Sequence, residues 1–388
     1  MSKKIFYNGL VYANHRFSPL SVLVEDGEIT RIGEWIADPR AERIDLKGLR
    51  LAPGFLDIHT HGAAGVDVNS ADPEGYETIC RFMASQGTTG WLGSVLTDTR
   101  EQTMACIRAY STWKSWETEA HQGAVMMGIH LEGPFLASDY KGAMPEHLLQ
   151  KGNADLIRAY QEAAGGDIRY ITVSPEVEGV LESIPSFKEM GIQVAIGHSG
   201  ADYDTAMAAI EKGARGATHT GNAMKMLHQH FPAIWGAVLE DDRVCCEVIC
   251  DGRHLHPATV RLILKTKGLD KVAAITDSIM AAGLPDGNYK LGVNDVVVKD
   301  GDAQLADGGG RAGSTLTTGR AFLKLMEFTG KSPEEILPLL TENPARLIGE
   351  DHRRGFIREG YWADFVLLDE ENRIAATYVG GRRVYQKA

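Results

Sequence analysis

The stretch 192–220, IQVAIGHSGADYDTAMAAIEKGARGATHT, decides the fold. It begins with a short apolar run, 192–199, and continues into a helix-length amphipathic segment, Ala201 to Lys212, which Gly213 closes. A second short run, 217–220, follows this segment. An apolar run, an amphipathic helix and another apolar run are typical of βα units in a parallel sheet.

Short apolar runs alternate with helix-length segments through the whole middle of the chain. Eight runs have this character: FLDIHT (55–60), TGWLGSVLT (89–97), AVMMGIHLE (124–132), IRYITVS (168–174), IQVAIGHS (192–199), ATHT (217–220), VCCEVICD (244–251) and VAAITD (272–277). Helical segments separate most of them, with 101–121 and 257–267 among the clearest. Eight parallel strands with intervening helices predict a closed (β/α)8 TIM-type barrel. The alternative, an open doubly wound sheet, is disfavoured because no strand is followed by G-x-G-x-x-G.

The two ends of the chain differ from the middle. Residues up to about 53 and after about 360 are short β-rich runs separated by glycine-containing turns. We therefore predict an α/β protein in which residues 1–53 and 355–388 form a small β-sandwich domain built from both chain termini. Residues 54–354 are predicted to form the barrel.

Charge and composition exclude several classes of protein. The 388 residues include 40 Lys and Arg against 52 Asp and Glu, and the net charge of −12 argues against nucleic-acid binding. No run approaches the ~18 consecutive apolar residues of a membrane span. The five cysteines show no C-x-x-C spacing and indicate free thiols in a reducing compartment. We therefore predict a cytoplasmic protein without a nucleic-acid or membrane partner.

Polar residues collect where the predicted strands end. These residues are His59, His61, His130, Glu132, His198, His219, Asp251, His254 and Asp277. The carboxyl ends of barrel strands converge on one mouth, so these side chains become neighbours. Each residue alone could be a helix cap or a satisfied core residue. Together, however, they interrupt their apolar runs at the same depth in the fold. This joint pattern favours a site for a divalent transition metal, with four imidazoles and two carboxylates as its ligands. Cys245, Cys246 and Cys250 could also bind metal, although buried strand thiols are favoured.

Several of these residues stand in motifs that resemble one enzyme family. Residues 53–62, PGFLDIHTHG, look like the first-strand motif of the amidohydrolase superfamily. HLEGPF (130–135), followed by KGA (141–143), resembles N-acetylglucosamine-6-phosphate deacetylases. Further matches are GHS (197–199), TH (218–219), NAM (222–224), DGRH (251–254), TD (276–277), AGS (312–314) and NPA (343–345). The resemblance covers almost the whole chain.

The resemblance implies hydrolysis of the N-acetyl group of an N-acetylhexosamine 6-phosphate to acetate and the amino-sugar phosphate. It implies that Glu132, His198 and His219 hold a principal metal and that His59 and His61 hold a second. Asp277 matches the catalytic aspartate and adjoins the metals as a further ligand. We expect one or two divalent ions per chain, zinc first with iron and manganese as alternatives, in a homodimer. The implied substrate contacts are Ala143, Asn222, Ala223, His230, His254, Ala312 and Gly313.

The chain departs from the family pattern on the substrate side and spares every metal ligand. His230 stands where the family usually has an arginine that reaches the phosphate, and Met144 stands where it usually has His or Gln. Lys225, His228 and Arg253 are candidate replacements for the arginine. A different N-acyl substrate therefore stays open, namely N-acetylgalactosamine 6-phosphate, an unphosphorylated amino sugar or an N-acyl amino acid. A degenerate barrel kept as a binding protein is disfavoured because no ligand is missing.

Overall fold

The computed structural model describes residues 2–387, with strands at both ends of the chain and helices mostly between the middle strands. In chain order the strands are β1 (Lys3–Tyr7), β2 (Leu10–Ala13), β3 (Arg16–Pro19), β4 (Ser21–Glu25), β5 (Glu28–Gly33), β6 (Glu42–Asp45), β7 (Arg50–Pro53), β8 (Phe55–Thr60), β9 (Gly62–Ala63), β10 (Val66–Asp67), β11 (Thr88–Leu96), β12 (Val125–Glu132), β13 (Ile168–Val173), β14 (Gln193–Ile196), β15 (Gly216–Ala217), β16 (Cys245–Ile249), β17 (Val272–Ile275), β18 (Gly287–Leu291), β19 (Asn294–Lys299), β20 (Asp302–Leu305), β21 (Phe365–Leu368), β22 (Ile374–Val379) and β23 (Arg382–Gln386).

The helices lie mostly between the middle strands. They are α1 (Pro73–Ser85), α2 (Arg100–Lys114), α3 (Ala154–Ala163), α4 (Val180–Glu189), α5 (Tyr203–Lys212), α6 (Ala233–Glu240), α7 (Pro257–Lys267), α8 (Thr318–Thr329), α9 (Pro333–Leu340) and α10 (Glu342–Leu347). Short 3-10 turns occur at Val68–Ser70, Thr118–Ala120, Ser138–Tyr140 and Glu146–Leu148. Helix α2 ends earlier than the predicted 101–121, whereas α7 matches 257–267.

The eight predicted barrel strands are the parallel sheet of β8 and β11–β17, arranged in chain order. The two edge strands meet, because the Asp277 amide donates to the His59 carbonyl at 2.9 Å and Thr60 forms a parallel bridge with Ser278. Neighbouring parallel strands closed in this way form the TIM-type barrel. The predicted fold class is confirmed.

Three barrel strands end sooner than their apolar runs, each two residues before a residue that was predicted to bind metal. His198, His219 and Asp277 follow β14, β15 and β17 with φ values of 48°, 29° and 50°. Left-handed backbone is uncommon outside glycine and breaks the strand ladder. The regular strand conformation is therefore interrupted at each of these three residues, although the Asp277 amide still bonds to His59 across the barrel seam.

The chain termini form two further sheets. One has the order β5-β4-β1-β6, and the other has the order β23-β22-β21-β7-β2-β3. The second sheet joins both ends of the chain through antiparallel pairing of β21 with β7. Between the sheets, the Phe6 ring lies 5.3 Å from that of Phe365 and 5.1 Å from that of Tyr378. The β-sandwich built from both termini is therefore present. Its boundaries, 1–53 and 355–388, stay a prediction, and Met1 and Ala388 lie outside the described residues.

Three remaining features bear on the site and on the class of protein. A three-stranded antiparallel sheet, β18-β19-β20, follows β17 and was not predicted. No helix within residues 2–387 is long and apolar enough to cross a membrane. The five cysteines are free and buried.

Candidate metal centre and active site

Two groups of candidate metal ligands meet at the barrel mouth. In the first group, Glu132 ends β12, while His198 and His219 follow β14 and β15. Glu132 Oε1 lies 3.1 Å from His198 Nε2 and 3.2 Å from His219 Nε2. The two Nε2 atoms are 3.0 Å apart. Three ligand atoms of the types that zinc prefers therefore face a common point.

The second group joins the first through the same carboxylate. His59 and His61 lie at the end of β8, and Asp277 follows β17. Asp277 Oδ1 is 3.6 Å from His59 Nε2 and 3.3 Å from His61 Nε2. Glu132 places Oε1 3.4 Å from His59 Nε2 and Oε2 3.1 Å from His61 Nε2. The structure thus brings all six residues named from the sequence together.

The chemistry of these groups fits a divalent metal ion. All six side chains are buried, and His59 Nε2 has no hydrogen-bond partner among residues 2–387. Facing imidazole nitrogens, such as those of His198 and His219, repel each other unless a proton or a cation lies between them. Imidazole and carboxylate donors suit zinc, iron and manganese. The described residues can therefore hold one metal in each group.

The pKa values of the two groups show how tightly their charges interact. Burial alone would raise the pKa of Glu132, but His59, His198 and His219 hold it well below its usual range. Burial would lower the pKa of His61, but Asp277 and Glu132 raise it to about 9. A histidine must be deprotonated to bind a metal. Metal entry therefore displaces protons that these carboxylates otherwise hold on the imidazoles.

Three buried residues outside the two ligand groups support the ligands: Glu247 and Asp57, which were not singled out from the sequence, and His130, which was named among the strand-end polar residues. Glu247 Oε2 lies 3.1 Å from His59 Nδ1, and Asp57 Oδ2 accepts hydrogen bonds from the hydroxyls of Thr60 and Thr276 at 2.9 and 2.6 Å. The His130 ring packs 4.5 Å from that of His59. Burial, reinforced by the neighbouring His59, holds the pKa of His130 well below its usual range. The signal for Glu247 and Asp57 was a charged residue inside an apolar run.

A cavity of 320 Å³ opens above the ligands. Its lining comprises His61, Leu96, Glu132, Asp139, Tyr140, Gly142, Ala143, Met144, His198, His219, Asn222, Ala223, His254, Asp277, Leu291, Gly309, Arg311 and Gly313. A cavity of 830 Å³ lies where the terminal strands meet other barrel residues, but none of the six candidate ligands lines it. The smaller cavity is therefore the candidate active site, because candidate metal ligands line it and none lines the larger one.

Five of the seven predicted substrate contacts line this cavity: Ala143, Asn222, Ala223, His254 and Gly313. Gly313 is required there, because a Cβ atom on it would lie 2.8 Å from the Asp277 carbonyl oxygen. The other two lie outside the lining. Ala312 is fully buried, and its amide donates to the Ala303 carbonyl at 3.1 Å. The substrate roles of all seven residues stay predictions.

His230 lies on an exposed hairpin instead of in the cavity wall. A bridge between His228 and Phe231 closes the hairpin, which holds the His230 ring 5.5 Å from the ring of His228. Lys225 and His228 are exposed outside the lining as well. Arg253 donates to the Gly301 carbonyl at 3.0 Å and does not line the cavity. None of the cations named from the sequence therefore reaches the cavity of its own chain.

A family signature covers most of the chain. The sequence model of the Amidohydrolase family matches residues 50–384. The chain belongs to the amidohydrolase family. As an amidohydrolase, the protein is a metal-dependent hydrolase. The match to the family model confirms the resemblance that the motifs indicated.

Individual relatives of this amidohydrolase are similar over nearly the whole length. An N-acetylglucosamine-6-phosphate deacetylase from Lysinibacillus sphaericus is 32% identical over 378 residues, which cover 96% of this chain and 95% of that protein. An N-acetylgalactosamine-6-phosphate deacetylase from Escherichia coli O157:H7 is 32% identical over 332 residues, covering 86% of this chain and 87% of that protein. The crystal structure of N-acetylglucosamine-6-phosphate deacetylase from Pasteurella multocida superposes with a TM-score of 0.92 at 28% identity, covering 99% of this chain and 100% of that one.

Proposed function

We propose that this amidohydrolase removes the acetyl group from an N-acetylhexosamine 6-phosphate, with N-acetylglucosamine 6-phosphate as its main substrate. The observation that supports this most strongly is the convergence of both ligand groups on a cavity that also exposes Asp277. The relatives named above act on such sugar phosphates according to their names. The products are acetate and the amino-sugar phosphate.

The two ligand groups would hold the metal, which we propose to be zinc, with iron and manganese as alternatives. A divalent ion at such a site acidifies water and polarises a carbonyl group. Glu132, a ligand of the first group, also contacts His61 of the second and keeps the two groups close together. His59 and His61 favour two ions per chain over one.

Asp277 is the group that we propose moves the proton. Burial would raise its pKa, but His61 and His59 hold that pKa below its usual range. Asp277 is therefore ionised at neutral pH and can take a proton from water. The amide nitrogen leaves as an amine only when protonated, so the same carboxyl would return this proton to nitrogen.

His254 is the residue that we propose holds the substrate. Its Nδ1 lies 2.7 Å from Asp251 Oδ2, and a carboxylate on one ring nitrogen fixes the tautomer and orientation of the ring. Nε2 is then the nitrogen free for a substrate hydroxyl or carbonyl group. Asn222 and the Ala223 backbone line the same cavity and complete the proposed contacts with the sugar phosphate.

We also propose that two copies associate through the hairpin that follows the Asn222-Ala223-Met224 element. Met226, Leu227 and Phe231 expose 54%, 50% and 69% of their surface there. Such a patch of apolar side chains on a soluble domain is commonly an interface.

We propose a cytoplasmic location because the five cysteines are free. Protein unfolded without reductant should label at all five thiols, and labelling of fewer would contradict this location.

The experiment that tests the function is acetate release from a substrate panel. The panel contains N-acetylglucosamine 6-phosphate, N-acetylgalactosamine 6-phosphate, both free sugars and an N-acetyl amino acid. We expect the highest kcat/KM for a phosphorylated sugar, with the glucosamine compound first. A higher kcat/KM for a free sugar or for the amino acid would contradict the proposal. The epimer comparison matters because one relative is named for the galactosamine compound.

A further inference from the structure

Arg311 is the one side chain in the described cavity lining whose positive charge does not depend on pH. No lysine and no other arginine belongs to that lining. The ligand carboxylates of Glu132 and Asp277 face the metal sites, which leaves Asp139 as the remaining acidic group of the wall. A phosphate dianion entering this cavity therefore meets one permanent cation besides the metals.

The backbone and side chain of Arg311 are both held in place. An antiparallel bridge to Gln304 fixes the backbone beside β20. The side chain donates to Asp302, with Nε 3.0 Å from Oδ1 and Nη2 3.3 Å from Oδ2. Nη1 donates to no residue in the described part of the chain. A guanidinium that is already paired along one edge loses less side-chain entropy for each further hydrogen bond that it forms.

Arg311 and His254 belong to neighbouring segments of the cavity wall. Arg253, the residue before His254, donates to the Gly301 carbonyl at 3.0 Å. Gly301 directly precedes Asp302, which orients Arg311. The segment that presents His254 and the strand that orients Arg311 are thus linked at one side of the mouth.

We propose that Arg311 binds the 6-phosphate of the substrate and sets the preference for phosphorylated over free N-acetyl sugars. This rests on the proposed function. The Arg311 guanidinium has the phosphate-binding role that the sequence suggested for His230. Asp302 is a positioning residue, because it orients this guanidinium. Charge-assisted hydrogen bonds from arginine to phosphate are stronger than those between neutral groups. Because arginine stays charged, the preference does not weaken between pH 6 and 8 as a histidine contact would.

The test compares Arg311→Ala and Arg311→Lys on N-acetylglucosamine 6-phosphate and on N-acetylglucosamine. For Arg311→Ala we expect kcat/KM on the phosphorylated sugar to fall roughly 10- to 100-fold, mainly through KM. The value for the free sugar should stay within about threefold. Arg311→Lys should lose less than Arg311→Ala, because lysine keeps the positive charge but lacks the planar guanidinium that can donate two parallel hydrogen bonds. The matched control is Arg243→Ala, an exposed arginine paired with Asp241 and Glu211, which should change neither value.

A second measurement separates this proposal from the proposed function. Binding of glucose 6-phosphate and of glucose is measured by calorimetry, since neither compound has an acetyl group to lose. If wild-type protein binds glucose 6-phosphate more tightly than glucose, and Arg311→Ala loses this difference, the anion site is supported. This holds even if wild-type protein releases no acetate, a result that would contradict the proposed function alone. Equal losses for phosphorylated and free sugars in Arg311→Ala, or no loss for either, would overturn the assignment of Arg311.

Discussion

Glu247 Oε2 lies 3.1 Å from His59 Nδ1 and 3.1 Å from the backbone nitrogen of His219. One buried carboxylate therefore contacts a residue of each ligand group. A carboxylate on the outer nitrogen of a metal-binding histidine orients the ring and increases its basicity. We expect Glu247 to set the metal affinity of the site, although it does not line the cavity.

Replacement of Glu247 should weaken metal binding. For Glu247→Ala we expect a loss of affinity of roughly 10- to 100-fold, the range found for such outer partners. Glu247→Gln should lose less, because its carbonyl oxygen can still accept from His59. Chelator competition on the folded protein measures the affinity directly. Glu240→Ala, an exposed carboxylate on α6, is the control. Unchanged affinity in Glu247→Ala would show that His59 needs no such partner.

The second ligand group should hold its own ion. Wild-type protein purified without chelator should contain close to two metal equivalents per chain, because each group supplies three ligands. His59→Ala/His61→Ala should contain one, retained by Glu132, His198 and His219. Elemental analysis gives both numbers, and the exposed pair in His15→Ala/His352→Ala serves as the control. A second ion would be rejected if wild-type protein contained one metal equivalent per chain and the double mutant contained the same amount and kept full activity.

Asp277→Asn should stop turnover and leave a metal bound. Asparagine cannot carry a proton from water to nitrogen, and a general acid–base group contributes roughly 10²–10⁴-fold to kcat. Steady-state kinetics and metal content measure the two effects separately. Asp270→Asn changes an exposed aspartate before the other end of β17 and should leave kcat unaltered. If Asp277→Asn kept more than about a tenth of the wild-type kcat, the proton would follow another route.

The exposed hairpin should govern self-association. Phe231→Ser removes the most exposed of its three apolar side chains and should shift a dimer towards monomer at micromolar concentration. Analytical ultracentrifugation measures the change. Val293→Ser removes a comparably exposed apolar side chain elsewhere on the surface and should not change the sedimentation of the protein. A wild-type monomer, or a dimer that Phe231→Ser leaves intact, would place the interface elsewhere or remove it.

The fold and the ligand set could be predicted from the sequence for one physical reason. Buried parallel strands are continuous apolar runs, so a polar residue that ends such a run, such as His198 or Asp277, marks the barrel mouth. Glu247 was overlooked because it lies inside its run, where only the three-dimensional structure shows that it meets His59.

The substrate side was harder to predict because it depends on loops. The sheet β18-β19-β20 was not predicted from the sequence, and this sheet brings Asp302 beside Arg311. The exposure of His230 depends on how the hairpin between β15 and α6 folds, and the sequence motifs do not specify this. Motifs therefore identify ligands on strands better than contacts on loops.

Release of acetate from the sugar phosphate should depend on bound metal. The most direct measurement is acetate release from N-acetylglucosamine 6-phosphate by native protein, by chelator-treated protein and by treated protein resupplied with zinc. We predict equal amounts of acetate and amino-sugar phosphate from native protein, loss of both after chelation, and recovery with zinc. Acetate release that survives complete removal of metal, or none from fully loaded protein, would contradict the account.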